Sequence, residues 1–335
     1  MAKRNVLLDM MRGWAIILVV LGHAGVSDAF RVFIYSFHMP LFFFISGFFC
    51  SDRKNIKSFL FSKWKSLYVP FATVYSLLIF LSHWLYQFDL TRFDYDSLGD
   101  IGKALCLVLR FRVGAMDLLG HFWFLPVLFF ISIIFYGMLR LTKTCPCRKF
   151  ILVCGGAIFT CAGVLMIVFH LPNPYDLHRV CYYMGFYMLG WLIAQQGVTI
   201  IKSHYGLGLS LLLLMVVFSC VNNTVKFYPL LAIFMAVVGI GFSWLFMEII
   251  QKIRFCKRIL EFIGQHTMTI FIWHVLAFKM IEYGLSIISP KETMTLGWGG
   301  SYATHSLPLI MIYTLGGILL PLGIVQIKNK IFRLI

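Results

Sequence analysis

Apolar runs near 20 residues in length recur along the whole chain, and no other feature restricts the fold as strongly. A helix of about 20 apolar residues spans the hydrocarbon core of a bilayer and satisfies its own backbone hydrogen bonds. The runs of this length lie at 7–25, 29–49, 66–86, 118–140, 150–170, 178–196, 205–221, 229–250, 267–289 and 305–327. We therefore predict an all-α fold, a polytopic transmembrane helical bundle of about ten spans.

The composition agrees with lipid as the main solvent of the chain. Of its 335 residues, 60% are hydrophobic and 13% are charged, whereas soluble domains have about 25% charged residues. The net charge is +16, but the basic residues stand in short clusters between the apolar runs, which is the pattern that orients membrane proteins. We expect membrane lipids as partners, and no nucleic acid.

The distribution of Lys and Arg also predicts the orientation of the chain. With the N-terminus inside the cell, 19 of the 29 basic residues fall in cytoplasmic segments. An even number of spans then places both termini in the cytoplasm. The first apolar run resembles a secretory signal peptide, but Arg12 interrupts it and a second run follows closely. We therefore interpret it as a retained span.

We interpret residues 1–335 as a single integral membrane domain, because the sequence shows no internal repeat or low-complexity tract. One outer loop, 87–117, is long and charged, and long loops in compact folds are often functional. It is a candidate lid over a site, and residues 98–110 are expected to form a short amphipathic helix. The nine cysteines follow no disulfide or metal-binding spacing, so we interpret them mainly as small buried hydrophobic residues.

The first apolar run carries two ionisable residues, Arg12 and His23. At about 100° per residue, a spacing of eleven places both side chains on one helix face, about 16 Å apart along the axis. The two cannot touch, so either something long and thin lies between them or each has its own role. Asp9 can pair with Arg12 on the same face. The alternative is that Arg12 reaches the membrane interface and His23 is a polar helix end.

Four segments give the sequence a family resemblance. They read LLDMMRGWAIILVVLGHAG at 7–25, FHMPLFFFISGFF at 37–49, KWKSLYVPF at 63–71 and HFWFLPVLFF at 121–130. Their order and spacing resemble the membrane-bound acyltransferase 3 family, in particular its branch similar to fucose 4-O-acetylase. Beyond this region the resemblance depends mainly on the number of spans and on IGQHTMTIFIWHV at 263–275.

The resemblance implies an O-acyltransferase of the bacterial inner membrane. Such an enzyme moves an acyl group, usually acetyl, from cytosolic acyl-CoA to a sugar hydroxyl of a cell-surface polysaccharide or its lipid-linked precursor. Acetyl-CoA is then a co-substrate, and no bound cofactor is expected. Two alternatives stay open: a glycan-lipid transporter or flippase, and a non-catalytic sensor or assembly partner. Transporters are commonly built from repeats, and no repeat is visible here.

Three residues are candidates for the catalytic machinery. His23 is the candidate general base, because a histidine suits removal of a proton from an attacking hydroxyl near neutral pH. Arg12 is expected to contact the donor or shape the field of the interior. His38 precedes Pro40, which removes a backbone hydrogen bond and can open a polar pocket. The alternative for His38 is a structural bond to the freed carbonyl.

The candidate donor-binding residues are Asp9, through Arg12, and the pair Lys63 and Lys65 before the third span. The two lysines lie at the predicted cytoplasmic face, where they can attract the phosphates of CoA or bind anionic lipids. The family often has Arg-x-Arg at this position. Lysine keeps the charge but loses bidentate phosphate binding.

The candidate acceptor-binding residues flank the fourth span on the outer side. His121 and Trp123 stand at its entrance, where Trp123 can stack on a sugar or simply lie at the membrane interface. Arg110 and Arg112 can meet an anionic acceptor such as a lipid diphosphate. We predict no metal site, since no His and Cys set has the required spacing. Gly47 is interpreted as a helix-packing residue.

Overall fold

The structure is a computed structural model. It describes residues 5–88, 90–91, 94–114, 117–196, 208, 211–213, 229–288 and 306–331. Within these ranges the secondary structure consists of helices joined by turns and loops, without any strand, so the all-α prediction is confirmed there. The main helices are α1 (Val6–His23), α2 (Asp28–Phe48), α3 (Ile56–Lys63), α4 (Val69–Phe80), α5 (Ser82–Gln87), α6 (Leu98–Leu109), α7 (Phe124–Leu141), α8 (Arg148–Val168), α9 (Leu177–Gln196), α10 (Pro229–Ile250), α11 (Arg254–Gln265), α12 (Thr267–Ile288) and α13 (Leu307–Ile331).

The chain forms two compact units. The first unit, here the terminal unit, comprises Met1–Phe42 and Ile201–Ile335. The second, here the middle unit, comprises Phe43–Ile200. Helix α2 belongs to both, since the division falls within it. Each unit is described by itself below, and a single domain over 1–335 stays a prediction.

Seven helical segments among the described residues are long and apolar enough to cross a membrane. They are Val6–His23, Asp28–Phe48, Leu118–Leu141, Arg148–Val168, Pro229–Ile250, Thr267–Ile288 and Leu307–Ile324. Each corresponds to one of the predicted spans. The predicted span at 178–196 forms helix α9, whose tyrosines, glutamines and Arg179 make it less apolar. The predicted span at 205–221 falls largely outside the described residues, as does the C-terminus.

The single span predicted over 66–86 is wrong in its bounds. Helical structure begins at Ile56, passes through a π-helical turn at Trp64–Tyr68, and continues as α4 and α5 with a break between them. Pro70 lacks a backbone N–H, and a widened turn precedes it in which the Val69 N–H donates to the Trp64 carbonyl. A proline that the sequence places near the start of a span thus lies inside a longer, irregular helical segment.

In the terminal unit, α11 packs directly against the backbone of α1. A Cβ atom on Gly13 would lie 2.1 Å from the carbonyl oxygen of Leu260, and one on Gly264 would lie 1.9 Å from the carbonyl oxygen of Asp9. Only glycine permits this approach, so the two glycines fix α11 beside the first half of α1. A buried core of large apolar residues joins α1, α2 and α10, and it includes Leu18, Phe33, Phe37, Met235 and Phe242.

In the middle unit, close helix packing again depends on glycine. A Cβ atom on Gly47 would lie 1.8 Å from the carbonyl oxygen of Tyr187, and one on Gly190 would lie 1.9 Å from that of Phe44. The packing role predicted for Gly47 is therefore confirmed. The loop helix expected near 98–110 is also confirmed as α6, which Ser97 caps by accepting the Asp100 N–H at 3.1 Å. Its function as a lid stays a prediction.

Candidate active site

Three helices of the terminal unit bring four side-chain rings into a row, here the imidazole row. The ring of His274 on α12 lies 5.4 Å from that of His23 on α1, between centroids. The ring of His23 lies 6.2 Å from that of Tyr35 on α2, which lies 5.0 Å from that of His38. Two of the predicted catalytic residues, His23 and His38, are therefore brought near the same tyrosine.

All three imidazoles of the row are anchored through the same nitrogen. The Nδ1 atom lies 2.7 Å from the Val19 carbonyl for His23, 2.9 Å from the Ile34 carbonyl for His38, and 2.9 Å from the Phe271 carbonyl for His274. A carbonyl oxygen only accepts, so Nδ1 carries the proton. In each neutral ring Nε2 is then the nitrogen that can accept a proton.

The rings at the two ends of the row are buried, and the two rings in the middle are partly exposed. His274 is fully buried and His38 is 6% exposed, whereas Tyr35 is 38% exposed and His23 is half-buried. The Tyr35 hydroxyl donates to the Gly22 carbonyl at 3.3 Å. A Cβ on Gly22 would lie 2.7 Å from the Tyr35 ring, so this glycine allows the ring to approach α1. The exposed side of the Tyr35 ring therefore lies next to the half-buried His23.

Arg12 lies on the same face of α1 as His23, because the helix is continuous between them. Its guanidinium donates to the Asp9 carboxylate at 3.2 Å, as the sequence predicts. The Asp9 side chain is 3% exposed and that of Arg12 is 33% exposed. The burial of Asp9 favours a role in orienting Arg12, while the exposed part of the guanidinium can contact another molecule.

An apolar cavity of the terminal unit is not part of the imidazole row. It has a volume of about 490 Å³ and is lined by apolar side chains that include Trp14, Leu18 and Leu21 of α1. At about 100° per residue, these three positions lie on the face of α1 opposite to Arg12 and His23. We therefore do not assign this cavity to the reaction.

In the middle unit, the predicted donor-binding lysines stand at the start of the π-helical turn. Lys63 ends α3, and its ammonium lies 5.7 Å from the centre of the Phe59 ring. Lys65 is exposed. The two side chains carry positive charge where an anion in solution can reach it, which is compatible with either phosphate or lipid headgroups as partners.

The predicted acceptor-binding residues of the middle unit divide into two groups. Trp123 and Arg112 each take part in a cation–π contact: Arg179 lies 4.5 Å over the Trp123 ring, and Arg112 lies 5.3 Å over Tyr175. Trp123 also stacks with Tyr183, at 5.8 Å between centroids. We name Trp123 together with its two neighbours, Arg179 and Tyr183, the tryptophan cluster.

The other two residues have different surroundings. His121 is 6% exposed and packs against Phe122, with 4.7 Å between ring centroids, so it is part of the packed interior of its unit. Arg110 is exposed at the C-terminal end of α6. Among the described residues, no group of three or more His, Cys, Asp or Glu side chains could hold a metal ion.

Two residues of the imidazole row are absent from the sequence-based site, His274 and Tyr35. His274 belongs to the segment at 263–275, which contributes to the family resemblance. That resemblance was the one sequence feature that pointed to His274 as a site residue. The tryptophan cluster likewise adds Arg179 and Tyr183. Neither has a distinctive spacing, so the sequence contains no pattern that would have identified them.

A protein-family profile covers nearly the whole chain. The profile, described as an acyltransferase domain, matches residues 5–325. The protein therefore belongs to the acyltransferase 3 family. Together with the seven candidate spans, this membership indicates a multi-pass membrane acyltransferase. No curated protein and no solved structure matches the chain.

Proposed function

We propose that the protein is a membrane O-acyltransferase of the fucose 4-O-acetylase-like branch. It moves an acyl group, usually acetyl, from cytosolic acyl-CoA to a sugar hydroxyl of a cell-surface polysaccharide or its lipid-linked precursor. The proposal places it in the bacterial inner membrane with both termini in the cytoplasm. The observation that carries the proposal is the anchored His23 ring, which presents a proton-accepting Nε2 in a half-buried position.

The reaction on these residues is a single acyl transfer. The acceptor hydroxyl approaches past Tyr35, and His23 Nε2 takes its proton while the oxygen attacks the thioester carbonyl. The new C–O bond forms as the C–S bond breaks, and the departing CoA thiolate takes the proton from the His23 imidazolium. The products are the sugar ester and free CoA, and His23 is returned to its neutral form.

Arg12 supports this reaction at the donor end of the same helix face. The two side chains are separated by about 16 Å along α1, and the extended pantetheine arm of CoA is long and thin enough to follow that face. Asp9 holds the guanidinium at 3.2 Å. Lys63 and Lys65 attract the CoA phosphates in this proposal, and Trp123, Arg110 and Arg112 serve the glycan acceptor. The buried His121 supports Trp123 from the packed interior of its unit.

The experiment that tests the proposal uses purified protein in lipid nanodiscs. Acetyl-CoA labelled in its acetyl group is added together with a glycan-lipid extract from the source cells, and label in the glycan is measured. We expect transfer by the wild type and by His266→Asn, and loss of about 100-fold or more in His23→Asn. Equal labelling of the glycan by His23→Asn and wild type contradicts the proposal. A flippase would neither bind acetyl-CoA nor release free CoA, so the absence of both would favour that alternative.

A further inference from the structure

The fold brings a second imidazole to the proposed catalytic base. His274 on α12 is fully buried, and its ring centroid lies 5.4 Å from that of His23 on α1. The two residues are 251 positions apart in the sequence, so their contact is produced by tertiary structure alone. Both belong to the terminal unit.

The orientation of the His274 ring is fixed from several sides. Its Nδ1 atom lies within hydrogen-bonding distance of two carbonyls, Phe271 at 2.9 Å and Ile270 at 3.1 Å. The rings of Phe278 and Phe271 pack around it at 5.8 Å and 6.4 Å between centroids. Nδ1 therefore carries the proton, and Nε2 of His274 can accept one, as in His23.

Two such rings cannot both become charged at low cost. Two positive charges about 5 Å apart in a buried environment repel strongly, so the pair binds one proton much more readily than two. Among the described residues, the other titratable rings recorded beside His23 come from α2. They are Tyr35, whose ring lies 6.2 Å away, and His38, which lies beyond Tyr35. The ring of His274 is thus closer to His23 than that of Tyr35.

We propose that His274 is a positioning residue that forms a one-proton pair with His23 during acyl transfer. This inference rests on the proposed function. The neutral His274 ring orients the His23 imidazole and stabilises the imidazolium that forms when the acceptor hydroxyl loses its proton. The same proton then passes from His23 to the CoA thiolate, so His274 undergoes no net change in the cycle.

A matched pair of variants isolates this role. His274→Asn keeps a side-chain amide that can donate to the nearby carbonyls but removes the proton-accepting Nε2. His266→Asn is the control, because the Nδ1 of His266 makes the same kind of bond, to the Phe262 carbonyl at 2.8 Å, at the junction of α11 and α12. Both variants are compared with the wild type in lipid nanodiscs at matched protein levels.

The first readout is steady-state kinetics of acetyl transfer. In His274→Asn we expect kcat to fall about 10-fold to 100-fold, with KM for acetyl-CoA changed less than about twofold. His266→Asn keeps both constants. A purely structural role for His274 would lower the amount of active protein, and equal kcat in both variants contradicts the pairing.

The second readout requires no substrate. Diethyl pyrocarbonate modifies neutral imidazoles, and mass spectrometry follows the modification of His23 as a function of pH. We expect the midpoint of this pH dependence to move by about half a unit or more in His274→Asn and to stay in place in His266→Asn. If the midpoint moves while the wild type transfers no acetyl group, the proposed function fails and the pairing stands. If it stays at the same pH in both variants, the pairing is refuted, whatever the transfer assay shows.

Discussion

The candidate catalytic rings of the terminal unit and most candidate binding residues of the middle unit have different surroundings. In the terminal unit, three imidazoles are fixed by backbone carbonyls and largely withdrawn from solvent. In the middle unit, Lys65, Arg110 and Arg112 are exposed, and Trp123 contacts a cation through its ring face. A fixed, protected ring suits proton transfer, whereas exposed cations and aromatic faces suit binding of charged and sugar groups. Substitutions in the imidazole row should therefore lower kcat, and those at the candidate binding residues of the middle unit should raise KM.

Apart from His23 itself, the largest predicted effect concerns Arg12. Arg12→Gln removes the positive charge that lies 3.2 Å from the Asp9 carboxylate. We expect kcat/KM for acetyl-CoA to fall about 100-fold, or about 3 kcal/mol, together with a loss of stability because the carboxylate is buried. Thermal unfolding and steady-state kinetics measure the two effects separately.

The double variant Asp9→Asn with Arg12→Gln separates charge pairing from donor contact. It removes both charges, so we expect it to recover most of the lost stability while activity stays low. Recovery of full activity in the double variant would show that Arg12 serves only to neutralise Asp9.

The second effect concerns the close packing of α11 against α1 at Gly13, the residue after Arg12. In Gly13→Ala the new Cβ meets the Leu260 carbonyl oxygen at 2.1 Å, and we expect a loss of about 1–3 kcal/mol in stability. Gly137→Ala on α7 is the matched control, since a Cβ there has no atom within 4 Å. Differential scanning fluorimetry in detergent measures both, and equal melting temperatures would contradict the close contact of α11 with α1.

The third effect tests the middle unit through the tryptophan cluster. Trp123→Ala removes the ring that contacts Arg179 and Tyr183. We expect KM for the glycan acceptor to rise about fivefold to tenfold, with kcat changed less, because the ring that stacks on a sugar in the proposed role is lost. Trp84→Ala is the control, because Trp84 is 58% exposed on α5. A fall in kcat with constant KM would assign Trp123 to the chemistry and break the division between the units.

The smallest effect concerns the basic pair before the π-helical turn. In the Lys63→Gln and Lys65→Gln double variant we expect KM for acetyl-CoA to rise about twofold to fivefold, and less at high salt, because exposed charges are screened. Lys143→Gln, another exposed cation, is the control. An unchanged KM at low salt would leave these lysines as determinants of orientation and lipid contact only.

Much of the terminal site follows from helical geometry that the sequence already contains. The common face of Arg12 and His23 and the pair of Asp9 with Arg12 depend on spacing within one helix, which the structure forms over Val6–His23. The contact of His274 with His23 depends on how distant helices pack, and no local pattern encodes it. The same limit applies to Arg179 beside Trp123.

The third predicted span shows a different limit. Pro70 is visible in the sequence, but a proline permits either the first turn of a helix or a distortion within one. The structure combines both, with a widened turn at Trp64–Tyr68 and α4 starting at Val69. By contrast, the short helix α6 was predictable, because Ser97 provides a capping hydroxyl and Asp100 lies in its first turn.

The most direct test of His23 as the base compares binding with chemistry in one protein. Equilibrium binding of acetyl-CoA and a single turnover of acetyl transfer are measured for the wild type and His23→Asn, in which the amide can still donate to the Val19 carbonyl. We expect the same dissociation constant within about twofold and a transfer rate lower by about 100-fold or more. Equal transfer rates, or a loss of transfer that merely follows a loss of binding, would contradict general base catalysis by His23.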